Sequence, residues 1–166
     1  MYGVPNVREI ELGEISFIPP YTFRDCKNLI SVTYNKNANT EISVGTGAFM
    51  DCYKMTKPNF IPRGNIPDNA FVNCSSMTDI NLTNVTRCNV NSFRGCTSLT
   101  SIGNINENFR CNSSSFINCT SLKNISITYS GSDPTTCKNI HNNYLKNMTG
   151  KVMDPKGTGN VIVKVH

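Results

Sequence analysis

The chain has 166 residues, 38% of them apolar, with no Trp, eight Cys and a formal net charge of +5. Its cationic residues are dispersed rather than gathered into the basic stripe of a nucleic-acid site, so nucleic acid is not an expected partner. No run approaches the roughly 18 apolar residues of a membrane span, so no transmembrane segment is expected.

In chain order, the first apolar beat is Val7-Arg-Glu-Ile10-Glu-Leu12, whose end alternates as a short strand does. Phe23-Cys26-Leu29 then opens a phrase of Phe, two residues, Cys, two residues, and Leu or Met. Four more copies follow: Phe49-Cys52-Met55, Phe71-Cys74-Met77, Phe93-Cys96-Leu99 and Phe116-Cys119-Leu122. The Phe-to-Phe steps are 26, 22, 22 and 23 residues. A fixed period in this range means a solenoid, in which each unit buries its apolar face by stacking on its neighbours.

Within each phrase the spacing of three predicts one turn of 3-10 or α-helix. After it comes a period-two beat, as in Ile80-Asn-Leu82 and Ile125-Ser-Ile127, which predicts a short strand. Further apolar patches at Ile42-Ser-Val44, Ile66 and Val85 to Cys88 predict a second strand on another face. Residues 35–42 form an insertion that lengthens the first step and reads as a loop on one face.

The repeat register also reaches back to the start of the chain, with Val4 at the Cys position and Met1 at the Phe position. No polar cap precedes it, so further repeats, another domain or a second copy of the chain is expected to stack there. Met1-Tyr2-Gly3-Val4-Pro5 lacks the basic and apolar regions of a signal peptide, so export by that route needs a signal outside this sequence. At the other end, Tyr144-Leu145 reads as a decayed sixth Phe position. Lys151-Val-Met153 and Val161 to Val165 flank a Pro/Gly turn and suggest a hairpin or wide loop, read as a cap whose last strand closes the stack. The expected organisation is repeats over 1–128, five to six units, then a degenerate last repeat and C-terminal β cap over 129–166.

Cys26, Cys52, Cys74, Cys96 and Cys119 share one repeat position. Cys88 and Cys111 share another, where other repeats carry Ile18, Val44 and Ile66. Cys therefore stands in for a small buried hydrophobe, and a ladder of reduced core thiols is expected, together with the ladder of Phe23, Phe49, Phe71, Phe93 and Phe116. Disulfides between adjacent rungs are the alternative. Zinc is disfavoured, because there is no CxxC and no Cys/His pair at ligand spacing. Cys137 falls outside both ladders and is the thiol expected at the surface.

No chemistry-bearing constellation emerges. His141 and His166 have no evident nucleophile or carboxylate partner, the acidic residues are scattered, and phosphate-loop and calcium-loop motifs are absent. No catalytic, cofactor-binding or metal-binding residue is named, no cofactor is expected, and the chain is read as not an enzyme. The candidate binding face is the outward set on the repeated strand: Glu9, Glu11, Ser31, Thr33, Asp79, Asn81, Ser101, Asn124 and Ser126. This stripe is polar and mildly acidic to neutral.

The phrase Phe-xx-Cys-xx-Leu-xx-Ile-x-Leu, at a step near 22–23, resembles the repeat of the BspA-like leucine-rich-repeat family. Gly47-Ala48-Phe49-Met-Asp-Cys52, Asn69-Ala70-Phe71-Val-Asn-Cys74 and Ser92-Phe93-Arg-Gly-Cys96-Thr-Ser-Leu99-Thr-Ser-Ile102-Gly103 carry the likeness, which covers about residues 1 to 128. The Pro that follows the strand in that family is missing from most repeats here. The resemblance implies a leucine-rich-repeat solenoid, right-handed, with a parallel sheet on its concave face. It also implies a non-enzymatic protein-interaction or adhesion module at a cell surface or outside the cell. Such repeats are also at home in viruses of gut bacteria, so the alternative is a structural or receptor-binding component of a larger assembly such as a phage virion. In either case the expected partner is a protein.

Overall fold

The computed structural model describes residues 4, 6–34, 40–106, 108–128 and 162–165. Its strands, in chain order, are β1 (Glu9–Leu12), β2 (Phe17–Ile18), β3 (Ser31–Tyr34), β4 (Glu41–Val44), β5 (Lys57–Asn59) and β6 (Ile61–Ile66), followed by β7 (Asp79–Asn81), β8 (Asn84–Cys88), β9 (Ser101–Asn106), β10 (Arg110–Cys111), β11 (Asn124–Thr128) and β12 (Ile162–Val165). Every pairing is parallel and joins one coil to the next. The chain is a β-solenoid.

Two faces of the coil are sheets. The first runs β1-β3-β5 and then β7-β9-β11-β12, and the second runs β2-β4-β6-β8-β10. The first face breaks after β5, the strand that carries Pro58 where its neighbours carry Val32 and Ile80. Proline has no N–H to give a ladder. A backbone bond still ties the coils there, from Thr78 N–H to the Thr56 carbonyl at 3.1 Å. β12 pairs in register with β11, so the last strand adds one more rung to the first face.

The third side holds the Phe-xx-Cys phrase, and here the helical expectation is corrected. Among the described residues there is no helix. Instead the chain makes successive turns, each closed by an N–H three residues on, as in Cys26 to Phe23 and Leu29 to Cys26. The cause is left-handed backbone on both sides of Phe. Tyr21 and Asp25 flank Phe23, Gly47 and Asp51 flank Phe49, Asn69 and Asn73 flank Phe71, and Asn91 and Gly95 flank Phe93, all at positive φ. A helix needs consecutive right-handed residues, and Asn, Asp and Gly are the types that tolerate the opposite hand. Asn69, Asn73, Asn91 and Asn118 therefore do turn work.

On this side the N–H groups point toward the next coil. Phe23, Phe49, Phe71 and Phe93 donate to the carbonyls of Ala48, Ala70, Ser92 and Ser115, each at 2.8 Å. At the sheets bonds between coils also run back, as in Asn89 N–H to the Ile66 carbonyl at 2.9 Å. The rungs are thus stapled in both directions.

The core is a column. The five Phe rings lie one above another, with successive centroids 5.2, 5.2, 5.2 and 5.1 Å apart. Phe23, Phe49, Phe71, Phe93 and Phe116 are buried, as are Cys26, Cys52, Cys74, Cys96 and Cys119. At the N-terminal end Phe23 is 3% exposed and Ile18 fully buried, while Val7 and Ile10 pack against the column half-buried. Met1, residues 35–39 of the 35–42 insertion, Cys137, His141, Tyr144-Leu145, residues 151–161 and His166 lie outside the described residues, while Glu41 and Ile42 of the insertion begin β4 rather than a loop.

The cysteine ladder does more than fill space. Each Phe carbonyl in the column already accepts the N–H of its own Cys, and for the first four the next coil's thiol adds a second bond. Cys52, Cys74, Cys96 and Cys119 donate from Sγ to the carbonyls of Phe23, Phe49, Phe71 and Phe93 at 3.1 to 3.2 Å. Buried carbonyls need partners, and a thiol supplies one at little desolvation cost. Burial pushes the thiols of Cys52, Cys74, Cys88 and Cys96 well above their ordinary value of 9.0, chiefly by desolvation. Among the described residues no disulfide forms.

Candidate functional site

The first face carries the surface that the sequence singles out. Alternation sends every second residue of its strands inward, so Val32, Pro58, Ile80 and Ile102 are buried and their neighbours point out. In the first three coils, Glu9 pairs with Ser31 and Ser31 with Lys57; beside them, Glu11 pairs with Thr33 and Thr33 with Asn59. In the later coils, Asp79 pairs with Ser101 and Ser101 with Asn124, while Asn81 faces Gly103. Ser126 falls at a register shift against β9 and pairs with Lys164 of β12. All nine positions therefore belong to strands of the first face, and over the first three coils they run as two parallel columns.

Several are already engaged. Thr33 Oγ1 donates to the Ile10 carbonyl at 3.3 Å, and Asp79 Oδ2 accepts from Thr78 Oγ1 at 2.9 Å. Asn81 Oδ1 accepts both the N–H and the hydroxyl of Thr83, at 3.1 and 2.8 Å, which forms the tight turn from β7 into β8. The exposed ends of Glu9 and Glu11 and the half-buried hydroxyl of Ser31 form the more open part of the face.

The strand reading missed Lys57 and Asn59. They occupy the third rung of both columns, and Lys57 places a positive charge beside Ser31. Pro58 removes the Ile-x-Leu beat that marks the other strands. The signal was nevertheless present, since counting two and four residues on from Met55 gives both positions.

Chemically the face offers hydroxyls, amides and a few charges at rung spacing. Among the described residues, no group of three or more His, Cys, Asp or Glu side chains is placed to hold a metal ion. No helix among them is long and apolar enough to cross a membrane. A repeated, flat, hydrogen-bonding surface of this kind suits contact with another macromolecule better than capture of a small molecule.

The model for the BspA type leucine-rich repeat region matches in six copies, over residues 1–123 and 42–151. This chain belongs to the BspA-type leucine-rich-repeat family. The second match runs past residue 128, to 151. The crystal structure of a leucine-rich repeat protein from Bacteroides ovatus ATCC 8483 is similar, with a TM-score of 0.59 and 20% sequence identity. The likeness covers 99% of this chain and 38% of that one, and it shows the shared fold. No curated protein matches this chain. Within the BspA-type repeat, the stacked Phe and the thiol-to-carbonyl bonds explain why Phe and Cys recur at their fixed spacing.

Proposed function

We propose that this BspA-type repeat chain is a non-enzymatic protein-interaction module of the cell-surface adhesion type, and that it binds a protein partner through the first face. The supporting observation is the pair of in-register columns Glu9-Ser31-Lys57 and Glu11-Thr33-Asn59 in the first three coils, with a separate column, Asp79-Ser101-Asn124, beyond the break after β5. Such a surface recruits many weak polar contacts at once, and rigid backbone pairing holds them in place without a backbone ordering cost on binding. Repeat families of this fold are typically non-enzymatic, which agrees with the absence of any catalytic constellation in the sequence. In this reading residues 1–128 are the binding array and 129–166 the closing cap.

The test is a display library of extracellular protein fragments, panned against the immobilised chain. Clones recovered on the native chain are then measured against Ser31→Arg and Ser101→Arg, which bury the polar columns under long side chains. Thr86→Arg on the second face serves as the control. Loss of binding in the first two variants and not in the third supports the reading; equal binding by all three overturns it.

A further inference from the structure

The second face changes character along its length. At its start, Phe17 of β2 is 48% exposed and sits in register with Ser43 of β4. Farther along, Asn65 of β6 pairs with Arg87 of β8, and Arg87 pairs with Arg110 of β10. Arg63 of β6 lies two residues before Asn65, and its Nε donates to Ser43 Oγ at 3.3 Å. Three consecutive strands thus each contribute an exposed arginine.

Arg87 and Arg110 are the informative pair. Adjacent strands lie about 4.8 Å apart, and like charges directly across a rung repel. A fold that only needed solubility could carry one of them, or a Ser as in β4. One arm of Arg110 is turned onto its own chain, with Nη1 donating to the Phe109 carbonyl at 2.9 Å. For the Arg87 guanidinium, no hydrogen-bond acceptor and no carboxylate within 4 Å is found among the described residues.

Beside Arg87 lies an open cleft of about 300 Å³, also lined by Asp68, Asn89, Val90 and Asn112. Asp68 is partly spent, since its Oδ1 accepts the Val90 N–H at 3.2 Å. Asn112 Oδ1 accepts from Ser114 N–H and Oγ at 2.9 and 2.8 Å, which leaves its amide nitrogen as a donor. Val90 is 41% exposed and forms an apolar wall. The cleft therefore combines a guanidinium, an amide donor and an aliphatic patch with one carboxylate, Asp68, whose Oδ1 is held by the Val90 N–H. The donors and the patch match a carboxylate side chain with an apolar neighbour.

We infer that this end of the second face docks an acidic segment of a partner protein, with Arg87 taking a carboxylate and Val90 packing on the adjoining apolar residue. The surface is separate from the first face and does not rest on the reading given to it. A long polyanion fits less well. The arginines span three strands, and Glu41 and Phe17 occupy the far end of the face, so few phosphates or sulfates could be neutralised together. No aromatic lines the cleft to stack a base.

The experiment is fluorescence anisotropy at low salt with a fluorescein-labelled Glu-Val-Glu-Val-Glu-Val peptide and its Gln-for-Glu counterpart. The acidic peptide should bind and the Gln peptide should not. Arg87→Glu should weaken binding by about tenfold or more, as expected for loss of a charge-assisted hydrogen bond. Arg94→Glu makes the same charge change at another exposed arginine and should stay within about twofold, with far-UV circular dichroism confirming that both variants fold. Equal weakening by the two variants, or equal binding of the two peptides, would mean net charge alone and overturns the inference. So does a failure of the acidic peptide to bind. A heparin oligosaccharide or single-stranded oligonucleotide that displaces the peptide and depends more strongly on Arg87 overturns the choice of an acidic protein segment.

Discussion

Phe71 is the residue on which the column most depends, and Phe71→Ala is the sharpest test of the architecture. Its ring is fully buried and lies 5.2 Å from both Phe49 and Phe93, with interplanar angles of 5° and 1°. Truncating a buried Phe costs about 3–5 kcal/mol in lost transfer and residual cavity. Two stacked contacts are lost as well, each worth about 0.5–1.5 kcal/mol, and the terms overlap. The expected total is about 4–6 kcal/mol, a large part of the stability of a small domain. Phe23→Ala is the comparison. Among the described residues Phe23 has one stacking partner, tilted by 27°, and it stands on the first complete phrase of the chain. In a quasi-one-dimensional array a terminal unit can open locally while the rest stays folded, so this variant should cost about 3 kcal/mol or less. Urea unfolding followed by far-UV circular dichroism measures both. Phe71→Ala should also broaden the transition, since it weakens the link between two halves of the stack. If Phe71→Ala costs no more than Phe23→Ala, the column is not a cooperative unit and the reasoning fails.

Alkaline pH should unfold the chain through its thiols. The buried thiols of Cys52, Cys74, Cys88 and Cys96 titrate above their ordinary 9.0, so their contribution is complete below 9.0 and lost as pH rises beyond it, when the unfolded chain sheds protons that the folded chain keeps. Each thiol adds a slope that rises from about 0.7 kcal/mol per pH unit at pH 9 toward about 1.4 above pH 10, so urea midpoints should fall with increasing steepness from pH 9 to 11, and Cys74→Val should reduce the slope by about one thiol's share. Gly45→Ala should be strongly destabilising, because a Cβ there would lie 2.5 Å from Pro20 N and 2.7 Å from Pro19 C, both backbone of the preceding coil. A thermal melt within a degree or two of the parent would refute that close approach. Asn73→Ala should cost about 1–3 kcal/mol, from its left-handed backbone (φ 58°) and from the bond its Nδ2 gives to Asp51 Oδ1 at 2.8 Å. Asn73→Gly should recover the backbone part, and equal losses in the two variants would count against strain.

What could be read from the sequence divides along a physical line. The repeat step, the buried Phe and Cys positions and the strand after each phrase all depend on residue type recurring at fixed spacing, and they were legible. The third strand was not, because Pro58 stands where the pattern wants Val or Ile, and with it went Lys57 and Asn59. The turn structure of the phrase was misread as helical because a spacing of three fits a helix equally well. Yet the residue two after each Phe is Asp25, Asp51, Asn73, Gly95 or Asn118, all types that accept left-handed backbone, and each has positive φ. That column of five was the available signal. The thiol bonds were hidden for a different reason. A Cys among aliphatic residues reads as a small hydrophobe, and its acceptor is a carbonyl one coil earlier, which no local window connects. The arginine pair belongs to the same class. Arg87 and Arg110 each precede a Cys at one repeat position, so their alignment follows from the register. Its meaning comes from the distance between coils, which turns two unremarkable residues 23 positions apart in sequence into neighbouring like charges beside an open cleft.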